Sequence, residues 1–566
     1  MRRLRRSMRL LPFVALACAA VPAAAQQTER VSIRVTTTVK RGAMTPMWAW
    51  FGYDEPNHTY MKDGRKLLSD LQALSPVPVR VRMHNLLTTG DGTAALKWGS
   101  TNAYREDANG RPIYDWTIVD RIMDTLLERG MKPYVEIGFM PEALSTKPTP
   151  YRHYWRPGDN YNDIYTGWAY PPKDYDRWRE LIHEWVKHSV ERYGRTEVES
   201  WWWELWNEPD IGYWRGTQEE YLKLYDYTVD GLKRALPTAR IGGPHVTGPN
   251  GPRTQQILRN FIDHALRGTN HATGGKGTAL DVIGFHAKGA PRVMPEGHVR
   301  MSVSNQLRAI DNGFRIVASY PELKGVPIVI GESDPEGCAA CPVRTNPANA
   351  YRNGTMYSSY TAEQIARTYE LADLHGVNLL GSVTWAFEFE DQPYFDGFRD
   401  LATNGIAKPV LNVFRMLGQM SGDRVAVEST SALPLAAVRD SSVRGRADIN
   451  ALAARAPRTV TVLVWNYHDD DLAAPAADVE LTIEGLPSVR ATLTHYRVDR
   501  EHSNAYEVWK RMGSPQPPSP EQYAELEKAG RLQQVHEPRP IVVESGRVMV
   551  PFSLARQGVS LVKLTW

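Results

Sequence analysis

Apolar and polar positions fall into two regimes along the chain. From about Met47 to Met420, short β-branched and aromatic runs alternate with stretches whose apolar residues recur every three or four positions. That alternation is the pattern of parallel strands joined by crossover helices. Strands are predicted over 47–52, 77–84, 132–139, 198–206, 240–244, 281–287, 327–332 and 379–387. Helices are predicted between them, over 64–74, 118–129, 175–193, 218–236, 254–266, 305–319 and 362–375. Eight strand–helix units over about 370 residues predict an α/β fold, a (β/α)8 TIM barrel with long loops.

From about Gly422 the period changes to two, with turn signals between short runs at 425–428, 459–465, 478–484, 491–498, 547–552 and 559–564. This predicts a C-terminal β-sandwich accessory domain. The run 31–39 also alternates and is expected to add a strand to that sandwich. A proline-rich interruption at 516–534, with a short helix over 521–529, reads as a packed insertion without chemistry. The expected domains are therefore a signal peptide at 1–25, a sandwich strand at 26–44, the catalytic barrel at 45–421 and the sandwich at 422–566.

The N-terminus changes the picture first. Arg2, Arg3, Arg5, Arg6 and Arg9 precede an apolar stretch from Leu10 to Val21 and then Ala23-Ala24-Ala25, the layout of a cleaved secretory signal. The stretch is too short to span a bilayer. A periplasmic or secreted protein with no membrane span is expected, and Cys18 is a weak candidate for lipidation. The chain of 566 residues has 42% hydrophobic and 23% charged residues, an ordinary globular balance. Its net charge of +3 is small for the length, and its basic residues are dispersed beyond the N-terminus, so nucleic acid is excluded as a partner. After signal cleavage two cysteines remain, Cys338 and Cys341. In an oxidising compartment this Cys-x-x-Cys spacing reads as a local disulfide; a redox or zinc role would need a thioredoxin-like context or two further ligands that the flanking sequence lacks.

Barrels of this kind carry their chemistry at the C-terminal ends of the strands. Polar residues predicted there are Tyr53, Asp54, Glu55, His84, Asn85, Asn207, Glu208, His245, His286, Lys288, Glu332 and Glu388. Two of them are carboxylates closing different strands, Glu208 within Asn207-Glu208-Pro209 and Glu332 after Val326-Pro327-Ile328-Val329-Ile330. Glycosidic cleavage requires such a pair, a neutral acid to protonate the departing oxygen and an ionised carboxylate for the oxocarbenium-like carbon. The 17 Trp and 26 Tyr add rings that can line a sugar cleft.

At these residues the chain resembles glycoside hydrolase family 39, the family of β-xylosidases and α-L-iduronidases. The carriers are Phe51-Gly52-Tyr53-Asp54-Glu55-Pro56-Asn57, Gly130-Met131-Lys132-Pro133-Tyr134-Val135-Glu136, Trp203-Glu204-Leu205-Trp206-Asn207-Glu208-Pro209-Asp210, Phe285-His286-Ala287 and Gly405-Ile406-Ala407-Lys408-Pro409-Val410-Leu411. The resemblance continues through Asp499-Arg500-Glu501-His502-Ser503-Asn504-Ala505-Tyr506. It implies a retaining glycosidase with Glu208 as acid/base and Glu332 as nucleophile, acting by double displacement without a cofactor or metal. It further implies that Asn207 binds the sugar 2-hydroxyl and that His84 and His286 line the sugar subsite, His286 beside the nucleophile. Lys288, Trp385 and Glu388 complete the expected substrate-binding set.

The chain departs from the xylosidase pattern at Lys288, where those enzymes carry Tyr, and in the loop Ser333-Asp334-Pro335-Glu336-Gly337-Cys338-Ala339-Ala340-Cys341-Pro342. The expected substrate is an oligosaccharide or glycoside. A β-xylosidase releasing xylose from non-reducing ends comes first. The alternatives are a glycosidase for a uronic acid, arabinose, galactose or exopolysaccharide, and a non-catalytic sugar-binding protein. Exo or endo action and oligomeric state stay open.

Overall fold

The computed structural model describes residues 29–385 and 387–566. The expected signal segment, with Cys18, lies outside the described residues. Eight parallel strands follow one another round a barrel: Trp50–Tyr53, Arg80–Met83, Lys132–Ile137, Trp202–Leu205, Arg240–Val246, Val282–Lys288, Pro327–Asp334, and an eighth in two pieces, Asn378–Ser382 and Thr384–Trp385. The first piece pairs with strand seven and the second with strand one, so the break at Val383 is where the barrel closes. Crossover helices include Lys62–Ala73, Thr117–Leu127, Tyr175–Tyr193, Gln218–Ala235, Pro252–Arg267, Val303–Ala318, Thr355–His375 and Pro409–Leu417. The protein is thus a (β/α)8 barrel followed by a β-domain.

Strand four begins four residues later than predicted. Val198 lies in a short helix, Arg195–Glu199, because Gly194 ends the preceding helix with φ +85° and the chain turns once before extending. The tryptophans that follow are core. Trp203 meets Trp185 edge-on at 5.6 Å, and Trp202 lies under the Arg240 guanidinium at 3.9 Å. Helices flanking this strand have firm starts. Asp174 accepts from the N–H groups of Asp176 and Arg177, and Thr217 forms a reciprocal capping box with Glu220.

The second sheet has nine strands and curls round its own core, so that Val31, Ile33, Val462, Leu481, Leu493 and Val550 bury one another. The N-terminal strand, Arg30–Ala43, runs antiparallel to Asp423–Ser429 and parallel to Ala477–Glu484. Two strands of this sheet had no clear sequence signal. Asp448–Ala456 is alanine-rich and largely buried on both faces, so it does not alternate; Gln533–Val542 contains two prolines and is mostly exposed, which suits the sheet edge it occupies.

Helix Thr355–His375 is buried along most of its length between barrel and sheet. Its Glu363 accepts from the Trp465 indole, and its Arg367 binds Glu363 at 2.9 Å and Asp448 at 2.7 Å. Helix Pro520–Ala529 in the proline-rich insertion turns back toward the barrel loops, where Tyr523 donates to the Asn404 carbonyl at 3.1 Å. Among the described residues, no helix is long and apolar enough to cross a membrane.

Candidate active site

Glu208 stands just past strand four, on a backbone that the local sequence forces out of the strand. Trp206 and Glu208 both have left-handed φ, +67° and +44°. Such backbone costs of order 1–3 kcal/mol per residue and persists only where surroundings over-determine it. Here the Trp206 N–H bonds Ile137 O at 3.1 Å, the Glu208 N–H bonds His245 O at 3.0 Å, and the fully buried Trp206 ring donates to Tyr213 O at 2.9 Å. Trp206 therefore holds the turn from behind.

Glu332 reaches the same cleft by a different device. The register between strands six and seven slips by one residue at Gly331, pairing Ile330 with Phe285 but Glu332 with His286. This bulge breaks the alternation that would give Glu332 the face of Ile330. Gly331 leaves room for two rings. A Cβ there would sit 2.1 Å from His245 Nδ1 and 3.0 Å from His286 Nε2.

The two carboxylates meet across His286. One oxygen of each lies within 4.8 Å of the other and of a His286 ring nitrogen. His286 Nδ1 is 2.9 Å from Glu208 Oε1 and 3.7 Å from Glu332 Oε1. His286 thus stands beside the nucleophile candidate and closer still to the acid/base candidate. Burial lowers the His286 pKa well below the usual imidazole range, so the ring is neutral.

Glu332 is surrounded by cations. Lys288 forms an ion pair with it, Arg82 Nη1 lies 3.3 Å away and His84 Nε2 3.5 Å away. Burial opposes its ionisation, but Lys288 foremost, then His286, the His84 hydrogen bond and Arg82, hold it well below the usual carboxylate range. Glu208 has the opposite setting. Burial first, and the negative Glu332 second, push it up to about 8. Two neighbouring carboxyls are thus held in different protonation states at neutral pH, the condition for one acid and one nucleophile.

Arg82, which sequence reading did not single out, organises the barrel mouth. It is fully buried, bonds Glu204, lies 2.9 Å from Glu136, and donates to Asn207 Oδ1 at 3.1 Å. Asn207 is oriented by that bond. His84 is gripped between Glu136 on Nδ1 and Asp54, 3.1 Å from Nε2; burial lowers its pKa but Glu136 overrides this and carries it up to about 9. The signal for Arg82 was present in the sequence, a cation at an inward position of a strand buried on both faces. Its role is hidden there because the groups it meets, Glu136, Glu204, Asn207 and Glu332, lie on other strands.

Above these groups lies a cleft of about 380 Å3, lined among others by Lys97, Tyr165, Tyr213, Lys288, Cys338 and Trp385. Trp385 forms a wall, its ring 4.4 Å from His84 and under Arg82 at 4.9 Å. Its ring lies against strand one where Gly52 carries no side chain; a Cβ there would be 2.4 Å from the indole. Tyr213 and Tyr165, also unanticipated, come from loops whose position no strand pattern fixes. Glu388 does not join the cleft. The buried Glu388 instead accepts the Gly405 N–H beside Asp63 and Asp400. Burial raises its pKa well above the usual range, so it is a neutral anchor of that turn.

The geometry of Glu208, His286 and Glu332 could also be met by a metal ion, as could that of Asp226 and His264 on two outer helices with His271 in the turn after the second. In the outer group Asp226 Oδ2 already accepts from His264 Nε2 at 2.9 Å and from the His271 N–H at 2.8 Å. In the cleft the cations Lys288 and Arg82 occupy the charge balance that an ion would supply.

The profile of Glycosyl hydrolases family 39 matches residues 31–548. A β-xylosidase of Caldicellulosiruptor saccharolyticus is 26% identical over 438 residues, 76% of this chain and 79% of that protein. An α-L-iduronidase of Mus musculus is 25% identical over 442 residues, 73% of this chain and 63% of that protein. Among solved structures, a monomeric β-xylosidase from Caulobacter crescentus CB15 superposes with a TM-score of 0.72 at 21% identity, covering 94% of this chain and 99% of that one. A GH39 enzyme from Xanthomonas axonopodis pv. citri does so with a TM-score of 0.71 at 20% identity, covering 96% and 99%. The barrel, the β-domain and a family profile spanning nearly every described residue lead to one conclusion: the chain belongs to glycosyl hydrolases family 39 and is a glycosidase.

Proposed function

We infer that the protein is a retaining β-xylosidase that removes xylose from the non-reducing ends of xylo-oligosaccharides. The observation that carries the retaining mechanism is the approach of the Glu208 and Glu332 carboxylates within 4.8 Å. Separations of about 5–5.5 Å suit direct attack, whereas inverting enzymes leave about 6.5–9.5 Å for a water. In the first step Glu332 attacks the anomeric carbon as Glu208 gives its proton to the departing oxygen. In the second, Glu208 takes a proton from water, which displaces Glu332 and frees the sugar. Asn207 is placed to hold the 2-hydroxyl, where a bond that tightens at the transition state lowers the barrier.

Xylose is supported by the two β-xylosidase relatives matched over about three quarters of the chain. A second reading, a uronic acid sugar, is favoured by the Lys288 and Lys97 ammonium groups lining the cleft. Screening aryl β-xylosides against aryl uronides, with the product anomer followed by proton NMR, decides both points. Retained configuration on the xyloside is expected; inversion would remove the double-displacement mechanism, and activity confined to the uronide would replace the sugar. We place the enzyme outside the cytoplasm on the strength of the Arg-rich start and Ala23-Ala24-Ala25, to which the Cys338–Cys341 disulfide is suited.

A further inference from the structure

The loop after strand seven, where the chain departs from the xylosidase pattern, contains a ring closed by the Cys338–Cys341 disulfide, with Cα atoms 5.5 Å apart. Gly337 and Cys338 form part of the cleft wall, together with Glu208, Glu332 and Lys288. The ring's carbonyls converge on one fully buried cation. Arg352 Nη1 donates to Ala339 O at 3.2 Å and Cys341 O at 2.9 Å, and Nη2 donates to Cys338 O at 2.6 Å.

From Arg352 a series of buried charges leads back to the nucleophile. Arg352 and Arg399 both bind the Glu336 carboxylate. Arg399 lies 3.7 Å from Asp334, whose side chain is also fully buried. Asp334 accepts from Lys288 Nζ at 3.0 Å and from the Trp385 N–H at 2.8 Å, and Lys288 is paired with Glu332. Charges in so dry a series cannot rearrange one at a time, since each displacement leaves a partner uncompensated. The ring itself, Cys-Ala-Ala-Cys between Gly337 and Pro342, buries its two small alanines but carries no larger side chain to fix its conformation. Covalent closure removes most of the conformations it would otherwise sample.

We propose that the Cys338–Cys341 ring is a positioning element for the reaction: it fixes the carbonyls that seat Arg352 and, through Glu336, Arg399 and Asp334, keeps Lys288 on Glu332 and Trp385 on the cleft wall. This role rests on the assignment of Glu332 as nucleophile. Opening the ring releases the Arg352 end of the series, and the Lys288 ammonium then spends less time on Glu332. The groups facing Glu332 are Lys288, Arg82, His84, His286 and Glu208. Loosening the first of them should raise the pH at which the nucleophile ionises.

The test compares the oxidised enzyme, the same enzyme reduced with a phosphine below its melting temperature, and the Cys338→Ser/Cys341→Ser variant. Inactivation by a 2-deoxy-2-fluoro glycoside is timed and the labelled peptide mapped. Glu332 should carry the label in all three, formed about tenfold more slowly in the two open forms. The acid limb of kcat/KM should rise by about one pH unit. Equal labelling rates and an unmoved acid limb would overturn the proposal, even if the melting temperature fell, because the ring would then serve folding alone. Absence of label from Glu332 in the oxidised enzyme would instead remove the nucleophile assignment and this role with it. Should the serine variant fail to fold, the reduced native enzyme still decides.

Discussion

The two carboxyls differ because of their neighbours, and that difference sets a pH dependence. In the proposed double displacement Glu208 must be protonated in the first step, and burial beside Glu332 carries it up to about 8. The basic limb of kcat/KM should therefore fall near pH 8, and Glu208→Gln should lose hydrolysis of unactivated xylo-oligosaccharides by about 10²–10⁴-fold. The same shift affects folding. A carboxyl whose folded pKa lies above its unfolded value stabilises the fold below the unfolded pKa and loses that contribution as pH rises through the folded one. Glu208→Gln, which carries no charge, should melt progressively higher than the wild type as pH is raised from 5 to 9. A constant difference in melting temperature across that range would refute the elevated pKa. Glu208 and Glu332 were legible in the sequence because glycosidic chemistry demands a pair of carboxyls at strand ends, and Asn207 and His84 through the family resemblance. Arg82, which ties four of the site's side chains together, was not, since the sequence shows a charge at an inward position without showing what it meets.

Strand ends place these groups through local irregularities: the left-handed turn after strand four, the bulge at Gly331 and the break at Val383. Gly331→Ala tests the bulge. The added methyl would lie 2.1 Å from His245 Nδ1, so His245, whose Nε2 is held by Glu204 and Tyr134, or His286 must move. We expect kcat/KM to fall by about tenfold or more, with KM changing less than kcat. Wild-type kcat in a correctly folded variant would show that the ring packing does not position Glu332. All eight barrel strands and seven of the helices were legible as hydrophobic periods. The bulges were not, because an extra residue in one strand is defined only against its neighbour. For the same reason the period alone puts Glu388 at the mouth: it gives the strand, but the Gly405 N–H that takes up this carboxyl lies on another segment.

On the scale of the molecule, barrel and β-domain share one apolar core, in which Trp465, Leu463 and Val559 of the sheet meet Tyr357, Ile365 and Tyr369 of the last long helix. Removing 422–566 would expose that helix, leave Arg367 without Asp448, and strip the strand Arg30–Ala43 of both partners. A truncated chain ending at 421 should be insoluble or lack cooperative unfolding by circular dichroism; a soluble, sharply melting product would show the barrel to be self-sufficient. Sequence alone determined the barrel and the β-rich tail and singled out two carboxylates at strand ends, because periods of 3.6 and 2 and the demands of glycosidic chemistry are written in single residues and short runs. Only the tertiary structure decided which groups surround each carboxyl, that His286 lies closer to Glu208 than to Glu332, and that the carbonyls of the disulfide ring seat Arg352. Those outcomes depend on distances between residues far apart in the chain, and a distance across a barrel has no signature in any one strand.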